Sequence, residues 1–319
     1  MRMTARGTSH VSAVRRCITV LAVLLQVLPA GSRAAPPPPS APAAVAESIA
    51  TFDRLEAPGS TPLQRRLVVL EGVLTFGAQS CSTALRWDPA RGVTVGCLQF
   101  GLLGRLQPVM TALDSTRPDL FAHAFGARTE EVRAMLRLRS TEEQAAWGRS
   151  LSDGGGQLKE PWATSFARLV SLPEFQTAYV ESTNQRFHTA VEWAHRFGLR
   201  SSRGLAMMFD LSLYRGIAPA DMEPLAAAAD GAAAGKHGTA AELARLQAIA
   251  AARIAIEPND ALLRFHLQAI AAGGAVFDGA TIDFAALGIS LATTASQPGE
   301  HSGPFEGPSR ASAIPPMTR

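Results

Sequence analysis

Glu71 and Asp88 are the two carboxylates whose settings point most clearly to chemistry. Glu71 sits in Glu71-Gly72-Val73-Leu74-Thr75-Phe76-Gly77, beside an apolar stripe. Asp88 sits in Trp87-Asp88-Pro89-Ala90-Arg91-Gly92-Val93-Thr94, where Pro89 and Gly92 signal a turn. A helix edge can hold one carboxyl while a turn projects the other across a groove. Glycosidic bond cleavage needs two such groups, one donating a proton to the leaving oxygen and one activating the attacking water. Glu71, on the apolar edge, suits the acid; Asp88, in a polar turn, suits the ionised base. A solvent-facing helix charge and an ordinary turn carboxylate would produce the same spacing. Arg91, Thr94, Gln99 and Trp87 lie close enough in sequence to position a substrate; an arginine stays charged and is a poor base.

Other chemistries find less support. Gly154-Gly155-Gly156 lacks the lysine and hydroxyl of a phosphate loop, and Ser80 and Ser82 lack a nucleophile elbow. His188 and His195 read as independent helix residues. Without HExxH or paired CxxC motifs, neither a metal nor another cofactor is expected. Asp210 stands in an apolar helix, where an unpaired charge is costly; a structural network with Arg253 or Arg264 is the expected solution.

The elements that must position these groups are mostly helical. Thr61-Pro62 marks a helix start, followed by Leu63, Leu67, Leu70 and Leu74 at helical spacing, with Arg65 and Arg66 free to face water. Leu85, Val93, Val95 and Leu98 predict a short antiparallel sheet. Helices follow near 129–138, 161–170, 174–197, 202–215, 239–256 and 260–272. Thr239 with Glu242 forms a capping-box pattern, and the apolar 202–215 segment reads as a central core helix. The Ala/Gly-rich region around 226–240 reads as a surface loop. Trp147, Trp162 and Trp193 read as packing anchors.

The chain has 319 residues, 47% hydrophobic and 18% charged, enough for a substantial core. Its net charge of +3 depends on Arg2, Arg6, Arg15, Arg16 and Arg33; without residues 1–34, 25 basic groups face 27 acidic ones, a net of −2. No cationic footprint for nucleic acid remains. Arg15-Arg16, the apolar run Cys17–Leu28 and the small residues 30–34 form the pattern of a signal peptide cleaved before Ala35. An uncleaved membrane anchor is the competing reading, although the run is shorter than the roughly 20 residues a span requires. The expected product is periplasmic or extracellular, monomeric and not inserted in a membrane. Residues 35–54 read as a Pro/Ala linker, 55–292 as one domain and 293–319 as a flexible tail. Export leaves Cys81 and Cys97, sixteen positions apart, either as a disulfide or as two separate buried thiols.

Taken in order, the motifs resemble the chitosanase-like branch of the lysozyme-like glycosidases, including glycoside hydrolase family 46 and related secreted cell-wall proteins. Glu71 resembles that family's early catalytic glutamate, and Asp88 before Arg91-Gly92-Val93-Thr94 its second catalytic aspartate. Val95-Gly96-Cys97-Leu98-Gln99-Phe100, Leu106-Gln107-Pro108, Pro118-Asp119-Leu120-Phe121, Phe209-Asp210-Leu211, Arg253-Ile254-Ala255, Arg264 and Gly273-Gly274-Ala275-Val276-Phe277 extend the likeness over about 70–290. The resemblance implies a mainly α, two-lobed lysozyme-like fold with a short antiparallel β region. It also implies an endo-acting, inverting hydrolase whose partner is chitosan or a peptidoglycan glycan strand. The sequence departs from the family at Tyr214-Arg215-Gly216, where Gln-Asn-Gly is familiar, and in the Pro89-Ala90 insertion of the acidic turn.

Overall fold

Thr61 and Pro62 start the helix that carries Glu71. The Thr61 hydroxyl accepts the Gln64 N–H at 3.1 Å, and Pro62 occupies the first turn, where its missing N–H costs nothing. This helix, α2 (Pro62–Phe76), follows α1 (Ala41–Asp53). The computed structural model describes residues 41–292 except 58, 78–80, 82–83, 139, 155–156, 215 and 278–279. The expected leader and tail lie outside the described residues.

After α2 come β1 (Leu85–Asp88), β2 (Gly92–Val95) and β3 (Phe100–Gly101), an antiparallel sheet in that order. Asp88 pairs in register with Gly92, so the acidic turn closes the β1–β2 hairpin. Then follow α3 (Leu106–Thr116), α4 (Pro118–Phe125), α5 (Thr129–Arg137), α6 (Thr141–Ser150), α7 (Trp162–Ser171), α8 (Pro173–Glu181) and α9 (Asn184–Arg196). The chain continues through α10 (Ser202–Tyr214), α11 (Pro219–Ala233), α12 (Gly238–Ile256) and α13 (Ala261–Ala272), and ends in the hairpin of β4 (Gly274–Phe277) and β5 (Ala280–Asp283). The described chain is mainly helical with small antiparallel sheets, as expected.

The core centres on α10. Leu205, Ala206, Met207, Met208, Phe209, Leu211 and Leu213 are all buried, because a helix apolar on every face can be satisfied only by neighbours on every face. Helices α2, α9, α12 and α13 pack around it. The two methionines are core residues, and Trp147 stacks edge-on against Trp162 at 5.3 Å as a packing anchor.

Five sequence expectations about these elements require correction. Residues 41–53 are helix, with Ala44, Val45 and Phe52 buried against the core, so the linker reading of 35–54 fails there. The 226–240 segment belongs largely to α11 and to the start of α12, since alanine, read as loop-like, is the strongest helix former. The expected helix over 174–197 is two helices, broken at Ser182-Thr183. No capping box forms at Thr239: Glu242 instead accepts the N–H groups of Arg200 and Ser201, at 2.9 and 2.7 Å, and ties α12 to the start of α10. Arg65 also turns inward and is buried, its guanidinium reaching the Ser60 carbonyl.

Candidate active site

Glu71 lies in the last two turns of α2, on the side facing α10 and α13, and is 0% exposed. The groove-edge position expected from its apolar neighbours is therefore an enclosed one. Neither carboxyl oxygen meets a hydrogen-bond donor among the described residues. Its carboxyl neighbour is Asp210 of α10, and two carboxyl groups can hydrogen-bond only if one carries a proton. Burial first, and then the Asp210 charge, push Glu71 well above the usual carboxylate range and so favour its protonated form.

Asp210 is 1% exposed, and its partner corrects the arginine expectation. Nδ1 of His266, on α13, lies 2.6 Å from Asp210 Oδ1. Arg253 instead bonds Glu257 at 2.8 Å, and Arg264 reaches the Pro258 carbonyl. A short intrahelical reach pairs Nη2 of Arg253 locally and leaves its buried Nε and Nη1 without a partner among the described residues, whereas His266 is carried into the core on the apolar Leu263, Leu267, Ile270 face of α13. That spacing was the available signal for His266: an imidazole on a helix face otherwise made of leucine and isoleucine needs a buried partner.

Glu71, Asp210 and His266 each place a donor atom within 4.8 Å of the others, so metal binding must be considered. Two donors on a tetrahedral zinc stand about 3.3 Å apart, given metal–ligand distances near 2.0–2.1 Å. The 2.6 Å Asp210–His266 separation is that of a hydrogen bond. The Asp210–His266 pair is spaced to share a proton.

Asp88 has the opposite setting. Its Oδ1 accepts the N–H groups of Ala90 and Arg91 at 2.8 and 2.9 Å, and its Oδ2 accepts Nε and Nη2 of Arg91 at 3.2 and 2.9 Å. Partial burial pushes the Asp88 carboxyl up, but these bonds and the Arg91 charge outweigh it and hold the group below its ordinary value. Its side chain is 28% exposed, so it is an ionised, water-facing carboxylate.

The residues expected to contact substrate fall into two sets. Arg91 is exposed and paired with Asp88, and Trp87 is half-buried against the core. Thr94 and Gln99 are buried and serve each other: Thr94 Oγ1 donates to Gln99 Oε1 at 2.8 Å, and Gln99 Nε2 donates to the Gly96 carbonyl at 3.1 Å. They close the turn after β2, where Gln99 adopts φ +49°. Tyr179 of α8 completes this turn, its hydroxyl accepting the Leu98 N–H at 2.7 Å and donating to the Val95 carbonyl at 3.3 Å.

Cys81 and Cys97 are bonded to each other. The bridge lies on Gly72, next to Glu71: a Cβ at Gly72 would fall 2.2 Å from Cys81 Sγ and 2.9 Å from Cys97 Cβ. Only glycine admits that approach, so the disulfide fastens the β-region directly to the helix that carries Glu71.

The sequence matches no family model and no curated protein. Among solved structures, the chain is similar to the Gynuella sunshinyii family 46 chitosanase in complex with chitotetraose, with 15% identity and a TM-score of 0.45 over 70% of this chain and 98% of that one. It is similar also to native Bacillus subtilis chitosanase, with 16% identity and a TM-score of 0.38 over 66% and 86% of the two chains. A mutant Bacillus subtilis chitosanase complexed with six GlcN units gives 13% identity and a TM-score of 0.38 over 66% and 87%.

Proposed function

We propose that this chain is an exported glycoside hydrolase that cleaves an amino-sugar polymer internally and with inversion, chitosan first and peptidoglycan glycan strands second. The observation carrying this reading is the opposed setting of two carboxyls: Glu71 is enclosed beside Asp210 and pushed toward its protonated form, while Asp88 sits in a water-facing turn whose hydrogen bonds hold it toward its ionised form. Paired carboxyls pushed apart in this way supply an acid and a base at one pH. Glu71 would protonate the leaving oxygen and Asp88 would activate water, which for inversion requires the two groups to stand roughly 6.5–9.5 Å apart on either side of the bond. The order of family-like motifs around both residues supports the same assignment. The Cys81–Cys97 bond fits an oxidising compartment, and no helix among the described residues is long and apolar enough to cross a membrane.

Glu71 is fully enclosed, so contact with a polymer requires the side chains over it to move aside. That enclosure favours a second reading, a non-catalytic cell-wall glycan-binding protein that retains a glycosidase-like scaffold. Incubating the protein lacking residues 1–34 with chitosan and with peptidoglycan, followed by mass spectrometry of products, separates the two. The hydrolase reading expects fragments, with Glu71→Gln and Asp88→Asn each losing roughly 100-fold or more in turnover while still binding polymer. Stable retention on either polymer without any product across a broad pH range supports the binding reading. Near-normal turnover in both folded variants rejects the acid/base pair.

A further inference from the structure

The enclosed cluster contains an asymmetry. Asp210 Oδ1 lies 2.6 Å from His266 Nδ1, whereas neither oxygen of Glu71 meets a donor among the described residues. With the shared proton on Glu71, Asp210 is a carboxylate that only accepts, and Nδ1 is then the donor in that bond. A donor lowers the basicity of the carboxylate that accepts it, and burial without a donor raises that of the other. One proton shared by Glu71 and Asp210 therefore belongs on Glu71 for as long as His266 supplies its N–H.

We propose that His266, acting through Asp210, is a positioning residue that keeps the shared proton on Glu71. The catalytic consequence rests on the acid role proposed for Glu71; the placement of the proton does not. Asp210 and His266 also line a cavity of about 140 Å³ with Tyr214, Asp260, Leu262 and Leu263, whereas Glu71 does not line it. The cluster thus reaches this cavity through Asp210 and His266 and not through Glu71. The other titratable groups facing His266 are Tyr214, whose ring meets the imidazole edge-on at 5.5 Å, and Asp260 at the cavity wall. Tyr214 is 39% exposed, but its hydroxyl end turns toward Thr75 of α2. Burial pushes its phenol up, so it stays neutral near neutral pH and does not compete for the proton.

The test compares His266→Leu, which removes the donor, with His266→Gln, which keeps an amide N–H. Infrared difference spectroscopy at neutral pH reads the C=O stretch of a protonated carboxyl without any substrate. In the parent protein, Glu71→Gln should abolish that band. In the His266→Leu background the proton redistributes toward Asp210, so Glu71→Gln alone should no longer abolish the band; His266→Gln should restore the parent pattern. On a cleaved polymer, His266→Leu should lower kcat at least ~10-fold with KM nearly unchanged and alter the pH profile, and His266→Gln should recover most of the loss. A folded His266→Leu protein whose band still disappears with Glu71→Gln alone overturns the proposal. If that band behaves as expected while Glu71→Gln cleaves normally, the acid assignment fails and the positioning stands.

Discussion

At Glu71, three helices close over a carboxyl and leave both its oxygens without a donor; at Asp88, a turn delivers four hydrogen bonds to a carboxyl that faces water. The two groups have nearly the same intrinsic acidity, so their different protonation states come from the surroundings alone. The helical corner stores cost: a buried carboxyl must stay neutral, and its neighbour Asp210 needs His266. The turn satisfies its charge locally, with donors two and three residues away. A catalytic acid requires the first kind of setting and a base the second, and each comes with a different stability signature.

The sharpest way to break this comparison is at Gly72, where the two regions are fastened together. Gly72→Ala would put a methyl group 2.2 Å from Cys81 Sγ, and neither the bridge nor α2 can yield without disturbing Glu71. We expect a loss of about 3 kcal/mol or more, visible as a lower urea midpoint, with a reactive-thiol assay showing incomplete Cys81–Cys97 bonding. Wild-type stability with an intact bond would separate the two regions mechanically.

A smaller effect is expected at Tyr179→Phe, which strips the β-region of its clamp. The Leu98 N–H loses its 2.7 Å acceptor in a buried site, a cost of about 1–3 kcal/mol. Urea denaturation should show it, and hydrogen exchange should show faster opening at residues 96–99 while α10 keeps its protection.

Asp88→Asn should have the smallest effect on stability, at most about 1 kcal/mol near neutral pH, because its ion pair with Arg91 is partly exposed and an amide oxygen still accepts the turn N–H groups. The pH dependence has a definite sign. Asp88 is lowered in the folded chain, so its contribution is present above the unfolded value of about 3.9 and is lost as pH falls through the folded one. The difference between Asp88→Asn and the parent should therefore vanish in acid. A difference that persists or grows there would deny the turn its ionised carboxylate.

The same contrast between local and distant partners explains what could be read from sequence. The Thr61-Pro62 start, the hairpin closed at Pro89 and Gly92, and the apolar helix Ser202–Tyr214 are each encoded within a few residues, and all are present. The pairing of Cys81 with Cys97 was left open by spacing and is settled by their common approach to Gly72. His266 lies 56 positions from Asp210, and its place on the apolar face of α13 signals a buried partner without saying which one. Helix α1 was hidden because alanine and proline around 35–54 suggest a linker, while the contacts that hold Val45 and Phe52 come from the rest of the core. Thr94 and Gln99 were legible as a pair near the site but not as each other's partner, since a turn that consumes its own polar groups resembles one that offers them.

The central claim, that Glu71 is a carboxyl kept protonated by enclosure, is tested most directly by the stability of Glu71→Gln against the parent as a function of pH. Glu71 is raised in the folded chain, so the unfolded chain ionises first, above about pH 4.3, while the folded chain still holds its proton. The parent must lose stability relative to Glu71→Gln as pH rises, at up to about 1.4 kcal/mol per pH unit until the folded group itself ionises. Urea denaturation of both proteins at about pH 4, 5, 6 and 7 should therefore show a difference that widens steadily in favour of Glu71→Gln. A difference that stays constant over that range, or that favours the parent more as pH rises, would show that Glu71 is ionised in the folded protein and contradict the account.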